Sequence, residues 1–179
     1  MVRYAVLLRG INVGRAKRVA MADLRALLED LGYEDVATVL HSGNAVVTTG
    51  ASPAAAGKAI ERAIADRLGL EVAVTVRTGE ELARIVAADR LGGVADDPAK
   101  RMVIFLPAKA SRSAVRALQA QDLGDERVEA AGREVYAWCP GGIGRSPLMA
   151  ALAKTDLGRS GTARNWRTVT KLAELAAAG

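Results

Sequence analysis

A chain of 179 residues, half of them hydrophobic and a quarter charged, can bury a core as one ordinary domain or as two small ones. The single cysteine, Cys139, excludes an internal disulfide, and with only one histidine, His41, the chain lacks the ligand sets of zinc, iron–sulfur and haem sites, so no metal and no cofactor are expected. The net charge of +5 is unevenly spread: residues 1–20 carry five cations and no acid, residues 133–171 carry seven cations against two acids, and the middle is acidic. Two basic ends suggest an anionic partner if they meet in space; solvated arginines scattered over the surface are the plainer alternative.

Tyr4 to Leu8 is an unbroken apolar run, as in a strand covered on both faces. It is too short for a signal-peptide core, and no run approaches the length of a membrane span, so a cytoplasmic protein without a membrane partner is expected. Met21, Leu24, Leu27, Leu28 and Leu31 recur at helical spacing and stop at Gly32. Val36 to Leu40 and Ala45 to Thr49 are β-rich runs separated by "HSGN", which reads as a hairpin whose tip, Ser42 to Asn44, comes near the end of the first strand. A helix over Pro53 to Leu68 and a strand over Leu70 to Val76 complete a β-α-β-β-α-β order.

Thr78 and Glu81 open a connecting helix as a capping box, and "RLGGVADDPAK" follows as a linker. Then come a strand over Met102 to Leu106, a helix over Ser113 to Gln121, strands over Arg127 to Ala131 and Glu134 to Cys139, and two helices. The expected fold class is α+β: two ferredoxin-like (split βαβ plait) subdomains in tandem, the second incomplete and ending in two helices. The boundaries are 1–77 for the first βαββαβ subdomain, 78–100 for the connecting helix and linker, and 101–179 for the second, βαββαα. One continuous domain is the alternative.

Three loops could carry chemistry. In "LLRGINVGRAKR" a strand ends at Arg9 and enters a loop bounded by Gly10 and Gly14, followed by Arg15, Lys17 and Arg18. Glycines let amides approach a ligand and the cations add charge, but the third glycine of a dinucleotide fingerprint is missing. In "CPGGIGRSPLMAAL" Ser146 and Pro147 specify a helix start, and Arg145 precedes it; Gly-Arg-Ser echoes the end of a P-loop, but the leading glycine is replaced by Cys139. An ATPase is thereby excluded, whereas an anion at that helix start is physically sensible. In "GTARNWRTVTKLAEL" Thr162 reads as the N-cap of a helix that buries Trp166, Val169, Leu172 and Leu175. That frame puts Arg164 and Arg167 in the first turns, where the helix dipole disfavours cations and an anion or carboxylate should compensate. Each loop also has a plain structural reading as a turn or a capped helix.

"LLRGINVG", "HSGN" and "TARNWRTVTKLAEL", in this order across nearly the whole chain, resemble the uncharacterised bacterial family catalogued as domain of unknown function 1697. The resemblance implies an α+β layout of plait-like halves and places Arg9, Gly10, Asn12, Ser42, Gly43, Asn44, Arg164, Asn165, Trp166 and Thr168 in signature segments. The chain departs from the family pattern at Arg15, Ala20, His41 and Pro147, where glycine, proline, glutamine and a cation are usual. The His41 departure argues against an essential imidazole base.

The signature residues are rich in hydrogen-bond donors, which suit oxyanions or nucleobase edges better than proton abstraction. The expected function is binding of an anionic, phosphate-containing small molecule or nucleic acid by Arg9, Gly10, Asn12, Ser42, Asn44, Arg145, Ser146, Arg164 and Asn165, with the first loop and last helix forming one basic site. An enzyme that stabilises charge, with Asp23 or Asp156 as base, and a protein-interaction module centred on Trp166 are the alternatives. RNA stacking on Tyr136 and Trp138 is the weaker reading beside their burial, because the chain has few aromatics and no RNP1 signature.

Overall fold

The computed structural model describes residues 1–12 and 17–177. Two compact units emerge, one formed by Met1–Arg84 with the chain from Lys171 onward, the other by Ile85–Thr170. Each contains a four-stranded antiparallel sheet. Among the described residues no helix is long and apolar enough to cross a membrane.

The first unit runs β1 (Val2–Leu8), α1 (Met21–Asp30), β2 (Glu34–Val39), β3 (Asn44–Thr49), α2 (Pro53–Leu68), β4 (Val74–Thr78) and the start of α3 (Gly79–Ala88). Its sheet has the order β2-β3-β1-β4, which makes β1 a central strand, paired with β3 from Val2↔Thr49 to Leu7↔Asn44 and with β4 from Tyr4↔Thr78 to Leu8↔Val74. A strand flanked on both edges and packed on both faces needs side chains that are apolar throughout, and Tyr4 through Leu8 are all buried. Tyr4, Val6, Leu8, Ala45 and Val47 join Leu24, Leu28, Ile60 and Ile64 of α1 and α2 in one core. Ser52 caps α2 by accepting the Ala55 N–H, and Pro53 occupies its first turn.

The expected fourth strand is displaced along the chain to Val74–Thr78. Pairing with β1 continues to Thr78 and outweighs the polarity of Arg77 and Thr78, and Thr78 then serves a second purpose. Its hydroxyl accepts the Glu81 N–H while the Glu81 carboxylate accepts the Thr78 N–H, a reciprocal capping box at the start of α3.

The second unit continues with β5 (Arg101–Phe105), α4 (Arg112–Gln119), β6 (Arg127–Ala131), β7 (Glu134–Trp138), a 3-10 turn (Ile143–Arg145), α5 (Pro147–Ala153), α6 (Asp156–Ser160), β8 (Thr162–Asn165) and the start of α7 (Trp166–Ala177). Here the sequence expectation is corrected, since the second half does not end in two helices without a fourth strand. Thr162–Asn165 is a strand on the free edge of β5, paired from Met102↔Asn165 to Phe105↔Thr162, and the sheet order is β6-β7-β5-β8. Ala163 packs against the core of Ile104, Val135, Leu148 and Leu152, while Thr162 and Arg164 take the opposite face. The tight passage from α6 into β8 is made at Gly161, where a Cβ would run into Ile104 and would lie 2.6 Å from the Leu157 carbonyl oxygen. The N-cap moves from Thr162 to Asn165, whose Oδ1 accepts the Thr168 N–H at 3.0 Å and hydroxyl at 2.8 Å.

Tyr136 and Trp138 are 1% and 7% exposed, so neither offers a stacking face for RNA. Burial pushes the Tyr136 phenol up to about 12, with Glu134 adding to the effect and Arg90 and Arg101 opposing it. The folded value lies above the ordinary one near 10, so the associated stability is complete below about pH 10 and is lost as pH rises toward 12. Chemical denaturation from about pH 9 to about pH 12, across the ordinary phenol value near 10, should show this loss in the wild-type chain and a flatter dependence in Tyr136→Phe. A retained slope would place the titration elsewhere.

Candidate functional site

The strongest grouping of signature residues lies where β1 ends. The Leu8 N–H donates to the Gly43 carbonyl at 2.8 Å and the Arg9 N–H to the Ala73 carbonyl at 2.9 Å, so the strand's last amides are held from both sides. Gly10 follows with φ +64° and Asn12 with φ 55°. The Asn12 Nδ2 donates to the Val19 carbonyl at 2.9 Å and to the His41 carbonyl at 2.8 Å, while its Oδ1 accepts the Val19 N–H at 2.9 Å. The Asn12 main-chain N–H donates to the Lys17 carbonyl at 3.1 Å. One amide side chain therefore closes the loop on itself and ties it to the β2–β3 hairpin. Gly14 and Arg15 of this loop lie outside the described residues.

The hairpin side is equally specific. Gly43 has φ +75°, and a Cβ there would lie 2.6 Å from Ile11 Cδ1 and 2.9 Å from Leu8 Cβ. Asn44 is fully buried and donates to the Val39 carbonyl at 3.0 Å and to Ser42 Oγ at 2.8 Å. Asn12 and Asn44, expected as ligand donors, thus use their side-chain amides on protein acceptors. His41 is exposed and enters through its carbonyl, which fits its departure from the family pattern.

Arg9 differs from these residues. It is half-buried, and its guanidinium has no hydrogen-bond or ion-pair partner among the described residues. With Gly10 and Lys17 it lines an open cavity of about 660 Å³, whose other walls are Glu61, Glu71, Val72 and Ala73. The Glu61 carboxylate accepts the Val74 N–H at 2.8 Å, and Lys17 Nζ donates to the Glu71 carbonyl at 2.6 Å.

In the second unit Ser146 caps α5 as expected, accepting the Met149 N–H at 2.9 Å. The anion expected at that helix start is already supplied by the protein: Glu126 Oε2 accepts the Ser146 hydroxyl at 3.0 Å and the Leu148 N–H at 2.7 Å. Arg145 is exposed in the 3-10 turn. Burial pushes the nearby Cys139 thiol up, partly offset by its hydrogen bond with Ser146 and reinforced by Glu126, so it is an inert thiol.

Arg164 is corrected from a helix to a strand position. It is 7% exposed and donates to Thr162 Oγ1 at 3.1 Å and the Ala163 carbonyl at 2.8 Å, and burial lowers it to about 10. Asn165 is the α7 cap. Of the two candidate bases, Asp23 is exposed on α1 and Asp156 pairs with Arg159 at 2.6 Å. Among the described residues no group of histidine, cysteine and carboxylate side chains could hold a metal.

Trp166 is half-buried and not a free surface ring, because the Arg101 guanidinium stacks 3.6 Å from its centroid. Arg101 also pairs with Asp89, and burial lowers its pKa. Sequence reasoning missed this cluster, although an arginine opening an otherwise apolar strand was a visible signal.

The family model for proteins of unknown function DUF1697 matches residues 1–136. The chain belongs to this family. Its three-dimensional structure is similar to that of a conserved bacterial protein, SP0830 from Streptococcus pneumoniae, with a TM-score of 0.78 and 24% identity over 98% of each chain. That likeness shows the fold. No functionally curated protein matches. Within the family's matched segment, Asn12 and Gly43 hold the loop and hairpin together, which is a structural task. Replacing Asn12 by alanine should cost about 1–3 kcal/mol by stranding its partners, and Gly43→Ala about 1–3 kcal/mol by overpacking against Ile11. Denaturant unfolding checks both; unchanged midpoints would assign these residues to a ligand instead.

Proposed function

We propose that the protein binds a phosphate-containing anion at the cavity beside the first loop, and that its two units are ferredoxin-like plaits in tandem. The fold reading is supported by the strand orders β2-β3-β1-β4 and β6-β7-β5-β8, which repeat one pattern of neighbours on one sequence of connections. The binding reading is carried by the Arg9 guanidinium, half-buried at a ligand-sized cavity and without a partner among the described residues. Holding a cation partly out of water is costly unless an anion balances it. A bidentate phosphate oxygen pair suits a guanidinium, and the left-handed turn at Gly10 leaves no Cβ at the cavity wall.

Arg164 is left out of this reading as a direct contact, since its guanidinium already donates to Thr162 Oγ1 and the Ala163 carbonyl. A cytoplasmic setting belongs to the same proposal and suits a chain with one buried thiol.

Calorimetric titration with pyrophosphate at low and moderate salt tests the proposal. Binding should weaken as salt rises, and Arg9→Ala should weaken it by about tenfold or more while leaving the melting temperature in place. Equal affinity in wild type and Arg9→Ala would refute the site.

A further inference from the structure

In the second unit, α4 and the edge strand β6 border two adjoining cavities, of about 460 and 580 Å³. Gln119 and Glu129 line both, so the two form one trough. The smaller cavity is lined by Lys109, Arg112 and Arg116. Among the described residues none of these three has an ion-pair or side-chain hydrogen-bond partner, in contrast to Arg67, Arg84, Arg101 and Arg159, which all pair with carboxylates. Glu129 forms no ion pair with them. Arg112 and Arg116 are one helical turn apart and repel each other, and Arg112 opens α4, where the dipole disfavours a cation. Three cations lining one cavity against the single carboxylate of Glu129, and paired with none, suit an oxyanion of more than one charge.

The larger cavity is mixed: Arg90 and Arg127 line it, Arg127 donating to the Gly124 and Glu126 carbonyls, and beside them stand acceptor groups. Gln119 Nε2 donates to the Val128 carbonyl at 2.9 Å and Gln121 Nε2 to the Ala117 carbonyl at 3.4 Å, and carbonyl acceptors fix which end of each amide faces them. Both amide oxygens are left without a partner among the described residues. Glu126 uses only Oε2, toward Ser146 and Leu148, and its Oε1 is likewise without one. Leu91, Val94 and Leu123 supply apolar wall between these acceptors.

We propose that this trough is a second binding site, distinct from the first-loop cavity, for a phosphorylated polyol such as a sugar phosphate. The phosphate sits among Lys109, Arg112 and Arg116, hydroxyl groups donate to Gln119, Gln121 and Glu126, and the carbon skeleton lies against Leu123 and Val94. The cations at one end and the acceptors at the other suit a molecule that carries both an anion and donors.

Titration of the full chain with glucose 6-phosphate, glycerol 3-phosphate, inorganic phosphate and glucose tests this directly. At least one of the two esters should bind about tenfold or more tightly than inorganic phosphate, and glucose should not bind detectably. Arg112→Ser combined with Arg116→Ser, both exposed positions, should weaken the ester by about tenfold or more with an unchanged circular dichroism spectrum. Gln121→Ala should weaken the ester and leave inorganic phosphate as it was. In an Arg9→Ala background, which removes the first-loop site, one ester-binding event should remain and should still be weakened by the Arg112→Ser, Arg116→Ser pair, which separates this site from the first-loop cavity. The proposal is overturned if neither ester binds, if inorganic phosphate binds as tightly, if the double variant retains full affinity, or if only Arg9→Ala abolishes binding.

Discussion

The Asn12 amide, with a left-handed backbone, bonds both main-chain groups of Val19 and the carbonyl of His41. Few side chains could replace it. The position asks for a residue that tolerates positive φ and presents one acceptor and two donors on a short stem, which is asparagine's chemistry. Its bonds bring the loop after β1 against the hairpin of β2 and β3, and Gly43 makes room for that contact by having no Cβ beside Ile11 and Leu8. With the loop fixed, β1 can end between two neighbours, its last amides held by Gly43 and Ala73. The backbone groups at the end of a buried central strand must be satisfied somewhere, and this joint satisfies them.

Internal satisfaction is also the rule for the polar residues of the second unit. Glu126 provides the negative charge at the start of α5, Asn165 caps α7, and Arg164 bonds within β8. These residues look like ligand donors in a sequence because capping, strand-end and anion-binding chemistry draw on the same side chains. What separates the two uses is whether a partner is already present. On that criterion Arg9, Lys109 and the α4 residues Arg112 and Arg116 stand apart from the signature asparagines and serines.

Much of the architecture was legible from hydrophobic spacing. The unbroken run of Tyr4 to Leu8 marked a central strand, "HSGN" marked the hairpin that closes on its end, and Ser52-Pro53, Thr78-Glu81 and Ser146-Pro147 marked helix starts. The β8 strand was not legible, because Thr-Ala-Arg-Asn has no apolar alternation strong enough to announce a strand and runs straight into a helix. Its strand state comes from the free edge of β5, which is a tertiary fact. The site was legible in its residues and not in their roles: the sequence shows which positions carry donors, and only the partners reveal which donors are engaged. The cationic face of α4 escaped notice since its charges are spaced along a helix and not run together in the chain.

The claim that the signature loop is a structural joint is tested most directly at one atom, the Val19 amide. Native-state hydrogen exchange in the ligand-free protein should find this N–H strongly protected, because it donates to Asn12 Oδ1 beside a buried Val19 side chain, and Asn12→Ala should remove the protection. Exchange at the rate of an open loop in the wild-type chain, with protection appearing only when an anion is added, would contradict the account and return Asn12 to the ligand.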